Sequence, residues 1–552
     1  MSRSRLKTWA GAALALVVLS AAWGAPGVGA QAKAGAPKAQ GDDARTRAAL
    51  ARVSAEDLRA HLKYIASDEL EGRKTPSRGL DLAAEYIAKQ FRAAGLEPAG
   101  DDGYFQTANW RLSARDPAAF RLSFSGNGAP AVRPEQIGVG FGIAGFSFWE
   151  ADGELSLSGA RLLKVDYANV PADLKREQVE GRVVLTELPA FPRGNQARAF
   201  QAMREVNDFL TRMRALGAPL VLAFDRRNER ARGGRSPRVF DPEQKGAGRN
   251  VPSLGLGGSQ TAPLLFVHGA EGARFFDSLP AGATAATVDV RVPAPSETPV
   301  KVRNVAGILR GSDPKLKETY VVVSAHYDHL GVRENCDPAH EDCINNGAND
   351  DGSGTVGVIE LASALSKLSP RPKRSILFMT FFGEELGLVG SRYYGRHPLV
   401  PLARTVAQLN MEQIGRTDDS EGPQVGTLAL TGFDYSDVGE ALRRAGESEG
   451  VRVYKHPTNS DAYFSRSDNQ SLADAGVPAH TAGVAFEFPD YHAVGDEWQK
   501  IDYANMERVV RTVGRALLSL ADSAQEPRWN EQNPKAAPYV EAWRKLHGES
   551  RQ

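Results

Sequence analysis

The chain has 552 residues, and its 67 Lys and Arg side chains balance its 67 Asp and Glu side chains. Such a balance argues against nucleic acid as the main partner, because phosphate binding needs clustered, uncompensated Lys and Arg. Hydrophobic residues make up 42% of the chain and charged residues 24%, which is typical of a folded globular protein. The length indicates about two or three domains.

Residues 1–30 have the pattern of a secretory signal peptide. Arg3, Arg5 and Lys7 precede an apolar run over 10–22, and small residues end the segment at Ala30. We therefore predict export to the periplasm or the extracellular space, with a slightly acidic chain remaining after cleavage. The apolar run is shorter than the roughly 20 residues that span a bilayer, so we predict no stable membrane anchor. An uncleaved N-terminal anchor is the alternative.

The first half of the chain divides by composition. Residues 31–44 are small and polar, which predicts a flexible leader. Over 45–135 the sequence predicts a helix that starts after Ser54 and an amphipathic helix that stops at Gly95. Residues 136–298 contain short β-like runs with a basic loop over 226–238.

Strands and helices alternate from residue 299 to 525. The predicted strands are 319–325, 375–382 and 405–409, and the predicted helices are 355–368 and 388–394. This alternation is typical of an α/β layer with a largely parallel sheet. A polar C-terminal tail covers 526–552.

Cys336 and Cys343 are the two cysteines of the sequence. In an exported protein a close pair is predicted to form a disulfide bond, with a free pair as the alternative. Because the closed loop is short, the chain-entropy account gives the bond about 2–3 kcal/mol.

Polar clusters accompany the predicted strands of the second half. Because ligands bind beyond the carboxyl ends of the strands in open α/β sheets, we expect these clusters to converge. Histidine and carboxylate groups without cysteine thiolates suit Zn²⁺, and two histidines with three carboxylates suffice for two ions. The clusters are His326-Tyr327-Asp328-His329 after 320–325, Asn349-Asp350-Asp351 before the next helix, Glu384-Glu385 after 376–382, Glu412 after 406–409, and Asp490-Tyr491-His492 after 484–488.

The order H-Y-D, N-D-D-G-S-G, G-E-E-L-G-L-V-G-S, N-M-E and D-Y-H resembles the zinc exopeptidases of metallopeptidase family 28, of the aminopeptidase Y, bacterial secreted aminopeptidase and glutamate carboxypeptidase II type. The segments ASDELEGR (66–73) and DDGYFQ (101–106) are similar to the N-terminal catalytic segment of this family. The resemblance implies a phosphorylase/hydrolase-like three-layer α/β/α catalytic domain with a mixed, largely parallel sheet, whose first part is predicted over 45–135 and whose second part is predicted over 299–525. Residues 136–298 are similar to the mainly β protease-associated (PA) domain that many members carry as an insertion.

The resemblance implies a set of five metal ligands for two zinc ions. His326 and Glu412 would bind one ion, Glu385 and His492 would bind the other, and Asp350 would bridge both. Glu412 stands where the family commonly has aspartate, and its side chain is one methylene longer.

The resemblance also implies catalytic roles. Asp328 would orient the His326 ring, and Glu384 would be the general base that takes a proton from a metal-bridging water. The Tyr491 hydroxyl would stabilise the tetrahedral oxyanion. Asp351 would follow Asp350 through a cis peptide bond. His329 could line the cleft, although we predict a structural or exposed role for it, and we predict that Ser467-Asp468-Asn469 shapes the substrate pocket.

These assignments imply an exported dinuclear zinc aminopeptidase that acts on peptides. A glutamate-carboxypeptidase-type exopeptidase would share the metal site and would need a basic cluster drawn from Arg371, Arg374, Arg392, Arg416 and Arg466. A glutaminyl cyclase would use one zinc ion. A non-catalytic, transferrin-receptor-like binding protein is a further alternative, against which the complete set of metal-competent residues argues. The sequence lacks the Gly-x-Ser-x-Gly elbow of a serine hydrolase.

Overall fold

The structure is a computed structural model that describes residues 36–114, 116, 119–126, 138–140, 142–143, 146–147, 154–187, 196–225, 238–240, 261–268, 270–333 and 336–548. The predicted signal peptide and residues 226–237 of the predicted basic loop lie outside these ranges. Among the described residues, no helix has the length and apolar character that a membrane span requires.

The first described elements are the helices α1 (Ala36–Leu50), α2 (Ala55–Ile65) and α3 (Arg78–Ala94). Helix α1 begins within the segment assigned to the leader. Ser54 caps α2, because its hydroxyl accepts the Asp57 N–H at 3.1 Å. Gly95 ends α3 in the left-handed conformation, with φ 81°. Both predicted helix boundaries are confirmed.

Short strands and helices follow up to residue 292. They are β1 (Glu97–Pro98), β2 (Phe105–Ala114), β3 (Arg121–Ser125), β4 (Gly138–Gly140), β5 (Gly142–Ile143), β6 (Phe146–Ser147), β7 (Leu155–Lys164), α4 (Arg176–Val179), β8 (Val183–Glu187), α5 (Gln196–Ala215), β9 (Val221–Asp225), β10 (Arg238–Phe240), β11 (Leu264–His268), α6 (Ala270–Ser278) and β12 (Gly282–Val292).

The second half alternates between strands and helices, as predicted. Its elements are β13 (Ser296–Leu309), β14 (Tyr320–His326), β15 (Gly331–Val332), β16 (Ile344–Asn345), α7 (Gly354–Leu365), β17 (Ser375–Phe381), α8 (Val389–Arg396), β18 (Thr405–Met411), β19 (Asp418–Asp419), β20 (Gly422–Pro423), β21 (Thr427–Leu430), α9 (Val438–Glu449), β22 (Arg452–Tyr454), α10 (Asn459–Ala462), α11 (Asn469–Asp474), β23 (Ala479–Gly483), α12 (Tyr503–Asp522) and α13 (Ala537–Leu546).

The larger sheet is mixed, and its centre is parallel. Its order is β10-β2-β13-β17-β14-β18-β23-β21-β22, with β1 beside β13. Strands β17, β14, β18 and β23 run parallel to one another. Their carboxyl ends therefore meet at one edge of the sheet, which is the arrangement that the sequence predicts.

Helices cover both faces of this sheet. Val321 and Val323 of β14 lie in the core that contains α2, α3, α7 and α12, whereas Val322 lies in the core that contains α8, α11 and α13. Successive strand side chains point to opposite faces, so the apolar run over 320–325 requires cover on both sides. The fold is the predicted three-layer α/β/α arrangement.

A second sheet has the order β3-β12-β7-β8-β9-β11-β4. Helix α5 packs on one face through Leu210 and Met213, and α6 packs on the other through Phe275. Strand β3 belongs to this sheet, although its residues fall within the predicted first part, 45–135, and β10 of the predicted insertion pairs with β2. The boundaries of the predicted insertion (136–298) and its PA identity stay predictions.

The strand predicted over 484–488 is wrong. Strand β23 ends at Gly483, and the N–H groups of Val484 and Ala485 donate to the Gln413 carbonyl at 3.2 and 3.4 Å. The partner strand β18 ends at Met411, so residues after Gly483 have no strand residues of β18 to pair with. The chain therefore bends around the segment that follows β18.

The C-terminal segment packs against the larger sheet despite its polar composition. The Trp529 indole N–H donates to the Gly476 carbonyl at 2.9 Å, and Val540 of α13 lies in the same apolar core. These apolar side chains anchor the segment predicted to be a polar tail.

The burial of β14 gives a stability prediction. Val323 is 0% exposed, whereas Val425 is 55% exposed. We expect Val323→Ala to lower the free energy of unfolding by about 2–3 kcal/mol, because it removes buried apolar contacts and leaves a cavity. The matched change Val425→Ala should alter it by less than about 0.5 kcal/mol. Urea denaturation followed by circular dichroism measures both, and equal effects would contradict the core assignment.

Candidate metal centre

The parallel strands bring the predicted ligands together at one sheet edge. His326 is the last residue of β14, Glu385 follows β17, and Glu412 directly follows β18. Asp350 lies in the turn that opens α7, and His492 lies beyond the bend after β23. All five predicted ligand positions therefore contribute to one region.

The carboxylate of Asp350 lies between two histidines. Its Oδ1 is 3.3 Å from His326 Nε2, and its Oδ2 is 3.2 Å from His492 Nε2. The peptide bond between Asp350 and Asp351 is cis, which confirms that prediction. One buried carboxylate thus faces a different imidazole with each oxygen.

Two groups of possible ligands share Asp350. One is His326, Asp350 and Glu412, and the other is His329, Asp350 and Glu385; in each group the ligand atoms lie within 4.8 Å of one another. His492 Nε2 adjoins the second group, 3.3 Å from Glu385 Oε2. The first group consists of three predicted ligands, whereas the second contains His329, which was not predicted as a ligand.

His329 is a functional candidate for which the sequence favours a structural or exposed role. It is 1% exposed, and its Nδ1 lies 2.9 Å from Glu385 Oε1. The exposed role predicted for it is therefore wrong. Its position three residues after His326, at the same strand end, is the signal that could have identified it.

The predicted catalytic side chains Asp328, Glu384 and Tyr491 contact the proposed ligand segments in different ways. His326 Nδ1 lies 3.2 Å from the backbone carbonyl oxygen of Asp328 and 3.6 Å from the nearer carboxylate oxygen of Asp328. That carboxylate accepts the Glu384 N–H at 3.0 Å, so it orients the segment that carries Glu384. The Tyr491 ring stacks on the His492 ring with centroids 3.9 Å apart.

Several carboxyl groups here carry pKa values moved by burial and by neighbouring charges. Burial raises the pKa of Glu412 to about 7, although the His326 charge lowers it, and the Asp350 charge raises it further. Burial likewise raises the pKa of Glu384 well above its usual value, and the neighbouring Glu412 and Glu385 carboxylates add to this rise. Crowded carboxylates of this kind favour a bound cation, because a positive ion relieves their repulsion.

In the second group, the pKa of the carboxyl group is lowered and not raised. Burial raises the pKa of Glu385, but the His492 charge and the His329 contact outweigh burial and bring that pKa down to about 2. Burial alone would lower the pKa of His492, but the Glu385 and Asp350 carboxylates raise it to about 11. These opposite shifts reflect the close contacts of the His492 ring with the Glu385 and Asp350 carboxylates.

The donor atoms fit a zinc ion. The Nε2 atoms of His326 and His329 and Oε2 of Glu412 are buried and form no hydrogen bond among the described residues. Buried polar atoms without partners are costly, and imidazole nitrogen with carboxylate oxygen is a donor set that Zn²⁺ accepts. The residues present are therefore suitable for holding a metal.

Two further aspartates hold the backbone of the centre. Asp351 accepts the N–H groups of His326 at 3.3 Å, Gly354 at 3.0 Å and Gln413 at 3.2 Å. Asp496 accepts the N–H groups of Asn349 at 2.9 Å and Asp350 at 3.0 Å. Sequence reasoning missed Asp496, which lies four residues after His492.

Arg73 is a fully buried arginine that bonds to backbone carbonyls. Its guanidinium donates to the carbonyls of Tyr327, Asn346 and Gly347 at 2.8, 2.7 and 2.9 Å. Burial lowers the pKa of Arg73 to about 10, and the nearby charge of Asp328 works against that fall. Its positive charge therefore lies among the buried acids, and it holds both segments that flank the centre.

Cys336 and Cys343 form a disulfide bond, which confirms the predicted pairing. The bond lies in the connection between His329 and Asn349, next to the hairpin of β15 and β16. It closes a small loop between the segments that carry His326 and Asp350.

Two of the five arginines proposed for a substrate carboxylate pocket bind acids of the chain itself. Arg374 pairs with Glu526 at 3.5 Å, and Arg416 pairs with Asp490 at 2.9 Å.

The fold and the site together define an α/β protein with a candidate histidine–carboxylate metal centre at the carboxyl edge of its sheet. Residues 304–517 match the sequence profile described as Peptidase family M28, the family that the sequence motifs resemble.

Known proteins resemble the chain in sequence and in fold. Leupeptin-inactivating enzyme 1 of Streptomyces exfoliatus is 31% identical over 165 residues, which are 29% of this chain and 34% of that protein. The solved aminopeptidase from Aneurinibacillus sp. strain AM-1 matches with a TM-score of 0.55 and 20% identity, over 88% of this chain and 97% of its own. A zinc aminopeptidase from Bacillus subtilis matches with a TM-score of 0.51 and 18% identity, over 89% and 98%. The chain spans about a third of the length of the first of these relatives, and the two structures support the fold.

The contacts of Asp496 give a prediction about metal affinity. In Asp496→Asn, an NH₂ group would face backbone N–H groups that now donate to the carboxylate. We expect affinity for Zn²⁺ to fall by about 10–100-fold, as is usual when a group that orients metal ligands is lost. Titration of the full chain against a competing chelator measures this. Asp437→Asn is the control, because Asp437 accepts the Arg528 N–H in a loop that carries no proposed metal ligand. Equal zinc affinities of the unaltered protein and both variants would contradict the role of Asp496.

Proposed function

We propose that this protein is an exported zinc aminopeptidase that removes N-terminal residues from peptides and uses two zinc ions. The observation that carries the proposal is the position of Asp350, whose two carboxylate oxygens face His326 and His492. A carboxylate placed in this way is suited to bridging two ions. The names of the related aminopeptidases favour the same chemistry.

The proposed ligand set takes the first group around Asp350 and joins Glu385 of the second group to His492, whose Nε2 lies 3.3 Å from Glu385 Oε2. His326 and Glu412 would hold one ion, Glu385 and His492 the other, and Asp350 both. The longer side chain of Glu412 is compatible with this role, since its carboxylate lies in the same group as His326 and Asp350. When bound, such a pair of ions lowers the pKa of a shared water and polarises the scissile carbonyl.

Glu384 is the proposed general base. It does not belong to either ligand group, and Asp328 holds its backbone N–H at 3.0 Å. Burial and adjacent carboxylates raise the pKa of Glu384 well above its usual value, which suits a group that must hold a proton between two steps. Glu384 would accept the proton of the attacking water and pass it to the leaving amine.

Tyr491 is the proposed oxyanion donor. Burial raises the pKa of Tyr491 well above its usual value, and the Asp350 and Glu385 carboxylates raise it further, so the hydroxyl keeps its proton. The stacking of Tyr491 on His492 fixes its ring beside the proposed metal ligands. A protonated hydroxyl at this position would donate a hydrogen bond to the oxyanion that develops on the substrate.

The general-base assignment predicts a separation of binding from turnover. Glu384→Gln should keep its bound zinc and lose about 10²–10⁴ in kcat, because the amide cannot accept the proton. Metal content by mass spectrometry and hydrolysis of an aminoacyl anilide measure the two effects. Glu440→Gln, on the exposed side of α9, is the control and should retain both. An active Glu384→Gln enzyme would refute the assignment.

The end from which a peptide is cleaved distinguishes the proposed activity from its alternatives. Protein purified without chelator should contain about two zinc ions per chain and should hydrolyse peptides with a free N-terminus but not N-blocked ones. Cleavage of blocked peptides from the carboxyl end would indicate a carboxypeptidase instead. Protein without zinc and without hydrolysis would indicate a binding protein. Quantitative peptide mass spectrometry with metal counting on one preparation gives the answer.

A further inference from the structure

Arg416 lies at the junction of three segments that carry proposed ligands. It follows Glu412 by four residues, and its side chain is 4% exposed. Its Nε and Nη2 donate to the Asp418 carboxylate at 2.7 and 2.6 Å, and its Nη1 donates to Asp490 Oδ2 at 2.9 Å. Charge-assisted, bidentate bonds of this kind fix orientation as well as distance.

Asp490 anchors the turn that presents Tyr491 and His492. The Ala493 N–H donates to the Asp490 carbonyl at 3.0 Å, and the Tyr491 N–H donates to the Phe488 carbonyl at 3.1 Å. His492 has φ 55°, in the left-handed region that a non-glycine residue occupies only with outside support. The turn therefore needs contacts from the surrounding chain to hold its shape.

Arg416 also connects to the segment of Asp350. The N–H groups of Gly415 and Arg416 both donate to Asn349 Oδ1 at 2.8 Å, and Asn349 immediately precedes Asp350. The backbone of Arg416 is thus fixed to the bridging segment, while its guanidinium holds the His492 turn. Lys500 also reaches Asp490 at 2.9 Å, but it is more exposed and makes a single contact.

We propose that Arg416 is a positioning residue that sets His492 against Asp350 and Glu385. This inference rests on the proposed dinuclear site and deepens it. If Arg416 acts in this way, its loss lowers the affinity for the ion on the His492 side more than the affinity for the ion on the His326 side. The loss of a residue that only stabilised the fold would lower both affinities equally or leave both unchanged.

The test is a calorimetric titration of the metal-free full chain with Zn²⁺. A second titration uses Co²⁺, and binding is followed by the visible spectrum of the cobalt ion. In Arg416→Lys, a single ammonium group replaces the planar guanidinium. We expect one of two binding steps to weaken by about 10–100-fold, with the other step unchanged. Asp490→Asn removes the charged partner without touching Arg416, and it should weaken the same step.

The control is Arg443→Lys, because Arg443 makes similar contacts to Glu440 and Glu447 on the exposed surface of α9. It should bind both ions as the unaltered protein does. A second measurement adds guanidinium ion to the Arg416→Ala protein. The added ion should restore part of the affinity lost in the weakened binding step. The zinc affinity of the Arg443→Ala protein should not change when guanidinium is added. Circular dichroism confirms that each variant is folded, and Asp490→Asn remains informative if an Arg416 variant fails to fold.

Two results would overturn the inference. If the unaltered protein binds two ions and the folded Arg416 and Asp490 variants bind both with unchanged affinity, or lose both equally, Arg416 does not position the His492 side and the proposed function stands. If the unaltered protein binds no zinc, the proposed function fails, and the inference fails with it.

Discussion

A buried aspartate that faces two histidines is the interaction on which the site depends. Asp350 places one oxygen near His326 and the other near His492, and these residues come from distant parts of the chain. Burying a carboxylate is unfavourable unless its charge is offset. The contacts with the two rings offset it, and they hold the pKa of Asp350 well below its usual value although burial alone raises it.

The surrounding structure keeps this aspartate in place. Asp496 and Asp351 accept backbone N–H groups on either side of it, and Arg73 donates to carbonyls of the flanking segments. Because each of these side chains is buried and makes several bonds, the loss of one would leave several polar groups unpaired. The sheet supplies the coarse position of each ligand, and these polar contacts supply the fine position.

The sequence predicts the sheet edge well, because each ligand position depends on a local signal. A buried apolar run that ends in H-Y-D specifies both a parallel strand and its functional end, and the structure has β14 ending at His326. The last strand was misplaced, because Val484–Phe488 has strand-like composition but no neighbour to pair with beyond Met411. The apolar pattern of a segment does not reveal where its partner strand stops.

The supporting residues were harder to predict for a similar reason. Asp496 gains its role from contacts made across the sheet edge and is not distinguished by its local sequence, and His329 is marked only by its position three residues after His326. Arg73 ends the ASDELEGR segment, whose resemblance to the family assigned no role to its side chain, and the fold buries it completely. Such roles depend on long-range contacts, so a single sequence identifies the metal-competent side chains more readily than the groups that orient them.

Anomalous diffraction at the zinc edge from crystals of the zinc-loaded protein tests the central claim most directly. We expect two anomalous peaks about 3.5–4 Å apart, one on each side of the Asp350 carboxylate, with His326 at one peak and His492 at the other. A single peak, or peaks at which Asp350 is not a ligand, would contradict it.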